Sequence, residues 1–292
     1  MDKIKTKKGI LSGRIFHSAF LLAAVLCIIS LLLIAGFILF KGYPAFAQIG
    51  LWKFLTGTIW QPGADIFGIA PMIVASICVT IGALVIGIPI GLMTAIFLSE
   101  LAGKKISRLF MSAVELLAGI PSVVYGFFTL MTIVPLIDKF WGGGGNSMLA
   151  AIIVLGIMIL PTIITVSANA LKAVPGSYRE GSLALGENKL MTIFRVVVPC
   201  AKSGILAGIV LGIGRAVGET MAVMLVAGNT VQMPHSILDR VRTLTANAAF
   251  EMGYASGLHQ EALFATAVVL LFFIVALNIV LTFINRKGRE NL

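Results

Sequence analysis

Two ionisable residues stand where their surroundings tolerate charge least. Arg215 and Glu219 lie inside segment 204–227, whose other members are almost all apolar or glycine, among them Ile205, Leu206, Ile209, Val210, Leu211 and Ile213 before the pair and Met221, Val223, Met224, Leu225 and Val226 after it. A run of this length can cross a bilayer as a helix rising about 1.5 Å per residue, which would put Arg215 about 15 Å above Ile205 and close to the midplane. A charge at that depth costs about 2.5–3.5 kcal/mol. Four residues apart on one helix, the two side chains would share a face and pair. At an effective dielectric near 20 such a pair recovers about 4 kcal/mol at 4 Å, so two charges are only partly compensated and apolar residues would be cheaper. The chemistry this suggests is the handling of a charged species: a guanidinium presents a planar fork of donors that fits oxyanions. The carboxylate would hold the arginine at rest and release it when an anion passes. A buried pair that only fixes helix register is the other reading.

The remaining chemistry-bearing residues give little. Cys27 and Cys78 sit inside apolar runs and Cys200 in a polar segment, so the three cysteines read as free thiols rather than a disulfide framework. His17, His235 and His259 lack metal-ligand spacing. Four consecutive glycines, Gly142 to Gly145, are not followed by the Gly-Lys-Ser/Thr ending of a phosphate-binding loop and read as a flexible hairpin. No metalloprotease, nucleotide-binding or dinucleotide-binding motif stands in a credible context, so the chain is not read as an enzyme and calls for no cofactor of its own. Glu115 with Arg108, seven residues earlier, reads as a local pair rather than a substrate group.

The elements that must position Arg215 and Glu219 are membrane helices. Hydrophobic residues make up 59% of the 292-residue chain and charged residues 12%, with a mean hydropathy of +1.04. Soluble domains carry roughly 25% charged residues, so this is an all-α integral membrane protein. Apolar runs at 15–40, 68–98, 108–136, 148–171, 204–227 and 262–284 predict six transmembrane helices. The first run is longer than the roughly 7–15 apolar residues of a signal peptide and is read as an uncleaved helix, despite Ala45-Phe46-Ala47 after it. Pro89 predicts a kink or tilt in the second. Gly204, Gly208 and Gly212 at four-residue spacing predict close approach of a neighbouring helix.

The net charge of +10 gathers in short segments between apolar runs, which argues against a nucleic-acid partner. Counting Arg108, at the edge of the third run, with the second connection, sixteen of the 22 Lys and Arg fall in the two tails and in the second and fourth connections, five fall in the first, third and fifth connections, and Arg215 is the remaining one. The positive-inside rule then puts both the N and C termini in the cytoplasm. The outer connections 41–67 and 228–261 become candidates for contact with an extracytoplasmic partner, and Trp52 and Trp60 suit a membrane interface.

The fourth connection, 172–203, is long for a link between membrane helices. Pro175-Gly176-Ser177 reads as a helix start, Gly186 as a stop, and 191–198 as a second short helix ended by Pro199, a shape suited to docking in another protein's groove. Glu180, Gly186 and Pro199 stand at positions 1, 7 and 20 of the loop by which binding-protein-dependent ABC importer permeases engage their ATPases, and the chain resembles that family. The usual two alanines after the glutamate are Gly181 and Ser182 here, and the later aliphatics are Val196 and Val198, which keeps the small and apolar character. The run Gly214-Arg215-Ala216-Val217-Gly218-Glu219-Thr220-Met221 resembles, more narrowly, the phosphate-specific importer permeases of the C type.

The resemblance implies a type I ABC importer permease fold and a role in ATP-driven phosphate import. It further implies a second homologous permease subunit, two cytoplasmic ATPase subunits that bind the ATP, and an extracytoplasmic phosphate-binding protein. Arg215 and Glu219 would border the substrate path, and Glu180, Gly181, Ser182, Gly186 and Pro199 would form the coupling loop. The domain reading is 1–67 for the tail, first helix and outer loop, 68–285 for a five-helix permease core containing the coupling loop 172–203, and 286–292 for a cytoplasmic tail. A permease for another oxyanion such as molybdate or sulfate, a secondary anion transporter with a protonating Glu219, and a membrane-embedded enzyme or assembly factor are the alternatives.

Overall fold

The computed structural model describes the backbone of Asp2–Arg289, and side chains from 16 to 279. The basic side chains at 3–14 and 286–289, and residues 290–292 of the expected tail, lie outside the described part. Helix α1 (Asp2–Ile49) continues through Pro44 to its end, so 41–49, expected as loop, is helical. The short α2 (Leu51–Thr56) follows, then a two-stranded antiparallel hairpin, β1 (Trp60–Gln61) and β2 (Ile66–Phe67), with Trp60 opposite Phe67.

The core begins with α3 (Ala70–Ile96), which ends in a π-helical turn, Phe97–Leu101. The expected third span is two helices: the amphipathic α4 (Lys104–Gly119) and the apolar α5 (Ser122–Trp141). Ile120 and Pro121 are extended between them, since a residue before proline is driven out of the α region. The hydroxyl of Tyr125 closes the break by donating to the carbonyl of Leu117 at 2.7 Å.

Helix α6 (Met148–Lys172) is the hub, buried along more than half its apolar length. Beyond it lie α7 (Gly176–Ala184), α8 (Lys189–Thr192), a second π-helical turn (Ile193–Val197) and α9 (Val198–Cys200). The chain then turns by 70° into α10 (Lys202–Gly218). After α11 (Met221–Val226) come α12 (Leu244–Glu251) and the long α13 (Gly257–Arg289). Among the described residues five helices are long and apolar enough to cross a membrane, and α10 makes up to a sixth when joined to the bent segment before it.

Glycines bring three of these helices together. A side chain at Gly204, Gly208 or Gly212 of α10 would strike Ala170, Ser167 and Val166, or Ile163 of α6. On the other side, Gly82, Gly87 and Gly91 of α3 receive Ile152, Ile159 and Ile163. Without a hydrophobic drive between helices in lipid, such close backbone approach is what holds a bundle together. The expected close contact of the α10 glycine row is therefore made, and its partner is α6.

Candidate substrate path and coupling site

Segment 204–227 is not one helix. α10 stops at Gly218, Glu219 is extended at φ −73° and ψ 130°, and α11 starts at Met221. The expected pairing of Arg215 with Glu219 on a shared helix face is corrected accordingly. Among the described residues Arg215 makes no ion pair or hydrogen bond; it is half-buried and lies within electrostatic reach of Tyr125. The break itself compensates the two charges. Arg215 sits in the last turn of α10, where carbonyl dipoles favour a cation, and the Glu219 carboxylate faces the start of α11, where N–H dipoles favour an anion.

Several of the backbone groups freed near the break find partners, as burial favours. The N–H of Ala222 donates to Glu219 Oε1 at 3.1 Å, and the N–H of Glu219 donates to the carbonyl of Ala216 at 3.4 Å. The Thr245 hydroxyl donates to the Glu219 carbonyl at 2.9 Å, and the Thr220 hydroxyl to that of Gly218 at 3.3 Å. Asn229 Nδ2 donates to the carbonyl of Met224, while the N–H of Ser147 and Asn146 Nδ2 donate to that of Val226 at the far end of α11.

Thr245 belongs to segment 228–261, expected as an outer connection. Part of it folds inward: Thr243, Thr245 and Asn247 are buried against α3 and the break. Thr243 and Thr245 hydroxyls are 3.1 Å apart, and Ser76 of α3 accepts from the N–H of Leu244 at 3.0 Å. These hydroxyls, with Thr80 and Glu219, border a void of about 10 Å³, room for about one water. Only long-range partners reveal them; nothing in the local sequence marks these threonines.

The inward segment is pinned by Glu251, which is buried and accepts from Trp60 Nε1 at 2.8 Å, from Arg242, and from His259 at 2.8 Å. Burial pushes this carboxyl up, but the three hydrogen bonds and the nearby Arg242 charge outweigh it and hold the group below its ordinary range. Arg242 also bonds Asn247 Oδ1 and the carbonyl of Asn229, and lies over the Phe250 ring at 5.3 Å. The glycine-rich hairpin is likewise tied down: Gly142 to Gly145 all have positive φ, Gly144 donates to Asp138, and Arg240 donates to the carbonyl of Gly143.

At the opposite end, the loop 172–203 carries the expected coupling residues. Glu180 and Gly181 are exposed on α7, and Pro199 lies in α9. Ser182 is buried, its hydroxyl 2.9 Å from that of Thr192 and 3.0 Å from Glu187, which joins α7 to α8. Gly186 closes α7 at φ 88°, the left-handed cap that favours glycine. The residue the sequence reading missed is Arg179. It clasps Glu100 of the first π-helical turn through two bonds, 3.0 and 2.6 Å, and donates to the carbonyls of Val174 and Leu171. The bond to Glu100 raises the guanidinium's pKa further. Tyr178, Leu183, Leu185 and Phe194 leave apolar surface exposed, Leu185 at 89%. Glu115 and Arg108, expected to pair, are both exposed and make no ion pair among the described residues.

The site thus consists of an apolar helical core, a broken helix that carries Arg215 and Glu219, and a helical loop with exposed apolar side chains. Residues 87–290 match the model of the binding-protein-dependent transport system inner membrane component, and the chain belongs to that family. It is 40% identical over 266 residues to the probable ABC transporter permease protein YqgH of Bacillus subtilis (strain 168), covering 89% of this chain and 85% of that one. To the phosphate transport system permease protein PstC of Pasteurella multocida (strain Pm70) it is 33% identical over 278 residues, 87% of each chain. In fold it is similar to a chain of the bacterial alginate ABC transporter solved with its alginate-bound periplasmic protein, with a TM-score of 0.62 at 16% identity over 93% and 94% of the two chains. A chain of the inward-facing MetNI methionine ABC transporter gives 0.61 at 18% identity over 79% and 99%. The chain therefore has the all-α, multi-pass fold of type I ABC importer permeases.

Proposed function

We propose that this chain is a permease subunit of an ATP-driven importer of inorganic phosphate, forming half of the translocation path. The observation that carries the reading is Arg215: a half-buried guanidinium with no protein counter-ion among the described residues, at a helix break deep in the core. Broken helices whose ends face the path are how membrane transporters present charge and free backbone dipoles to an ion. The PstC name of the Pasteurella multocida relative supports phosphate as the ion.

Glu219 holds the break open by accepting from Ala222 rather than neutralising Arg215, so the guanidinium stays available. Its attraction must stay weak for phosphate to leave. A second homologous permease subunit completes the path. Two cytoplasmic ATPase subunits, which bind the ATP, dock on the exposed apolar face of α7, and an extracytoplasmic phosphate-binding protein delivers substrate. Both termini lie on the cytoplasmic side.

The test is uptake by the complete complex in proteoliposomes. Arg215→Gln is expected to assemble normally and to lower ATP-dependent phosphate uptake at least a hundredfold. Near-normal uptake removes Arg215 from the path, and wild-type complex that carries sulfate or molybdate in preference to phosphate overturns the substrate.

A further inference from the structure

The end of the molecule that carries the coupling loop holds a second concentration of unanswered charge. A groove of about 530 Å³ opens between the π-helical turn Phe97–Leu101, α4 and the end of α6. Its volume falls in the roughly 300–1,000 Å³ of small-molecule sites. Lys104 and Arg108 of α4 and Lys172 of α6 border it, together with Ser112 and Glu115. All five are exposed, and none makes an ion pair or hydrogen bond among the described residues. Glu100, the nearby carboxylate, is already committed to Arg179.

Three cations against one carboxylate leave two positive charges in one concavity. Their arrangement is unfavourable by itself: Lys104 and Lys105 occupy the first turn of α4, which has no acidic residue, where the helix dipole repels cations. An anion in the groove would relieve that repulsion. Arg108 supplies a planar fork of donors, the lysines add compact charges and Ser112 a hydroxyl, a set that matches a phosphoryl group. Leu98, Ala102 and Met111 also line the groove, which gives an acyl chain an apolar wall beside the charges. Basic pockets between membrane helices on the cytoplasmic side hold anionic head groups in this way.

We propose that the groove binds a phosphoryl oxyanion, carried by an anionic phospholipid or present as free phosphate. The site is separate from Arg215 and stands whether or not the transported ion is phosphate.

The experiment uses the purified complete complex in an Arg215→Gln background, so that binding in the path does not contribute. Retained phosphatidylglycerol is counted by native mass spectrometry against phosphatidylcholine, and inorganic [32P]phosphate binding is measured by equilibrium dialysis. Adding Lys104→Gln, Arg108→Gln and Lys172→Gln stepwise is expected to weaken one of the two ligands about fivefold per charge removed. Lys202→Gln, at the same end but outside the groove, is the control. Loss of phosphatidylglycerol alone identifies the lipid, and loss of [32P]phosphate alone identifies the free ion. If the triple variant does not assemble, amine acetylation of Lys104 and Lys172 in the parent complex, read by peptide mass spectrometry, should be slowed by the same ligand. Unchanged binding of both ligands in the variants, or no protection of either lysine by either ligand, overturns the proposal.

Discussion

Arg215 was legible because a lone guanidinium in an apolar run of lipid-spanning length has no cheap explanation. Its relation to Glu219 was not, because four-residue spacing implies a shared face only while the helix continues, and here it stops at Gly218. No proline marks the stop; Thr245, 26 residues on, holds it. If Glu219 acts through its bond to Ala222, Glu219→Gln keeps an acceptor and should retain most uptake, whereas Glu219→Ala leaves a buried N–H unpaired at about 1–3 kcal/mol and should lose it. Equal loss in both variants, measured in proteoliposomes, would show that the charge and not the acceptor is needed. Glu251 makes a second prediction at this scale. Its folded carboxyl lies below its ordinary 4.5, so its contribution is complete above that value and drains away as pH falls through the folded pKa. Unfolding temperatures of wild-type complex should therefore drop as pH falls below 4.5 by more than those of Glu251→Gln, which starts lower because Arg242 is left unpaired. Parallel pH profiles would remove Glu251 from the acid response.

Among the elements, the long apolar helices could be read directly, since burial in lipid demands the same composition along their whole length. The breaks within them were not read: 108–136 was expected as one span, although Pro121 separates α4 from α5 by local sterics. The coupling segment was legible as a helix with a glycine stop, but its anchorage was hidden, because Arg179 and Glu100 are 79 residues apart. That bidentate clasp ties α7 to the π-helical turn that ends α3. Arg179→Lys keeps the charge but loses the fork, and should leave the ATPases attached while weakening the coupling of hydrolysis to uptake. Gly186→Ala meets no steric obstacle yet must hold a left-handed backbone at a cost of about 1 kcal/mol, and should act at the same step more mildly. Uptake per ATP hydrolysed is the measurement, and unchanged ratios in both variants would detach α7 from the coupling.

For the whole molecule, the distribution of basic residues and the packing of the helices bear on one question, which end faces the cytoplasm. Of the basic residues whose placement leads one to expect the α7 end in the cytoplasm, those at 3–14 and 286–289 lie outside the described part, and Lys104, Lys105, Arg108, Lys172, Arg179, Lys189, Arg195 and Lys202 belong to the end that carries α7. The other end is built from the β-hairpin, the glycine loop and the Arg242–Glu251 cluster, where Arg240 donates to a carbonyl and Arg242 pairs with Glu251. A larger share of basic residues at one end is what the positive-inside rule associates with the cytoplasmic side. The orientation can be read with single cysteines in a variant lacking Cys27, Cys78 and Cys200, using the exposed positions Ser236 and Ser177. In intact cells a membrane-impermeant maleimide should label Ser236→Cys at once and Ser177→Cys only after permeabilisation. The reverse pattern would turn the molecule over, place α7 outside, and leave the ATPase-docking role of the coupling loop without a partner to dock.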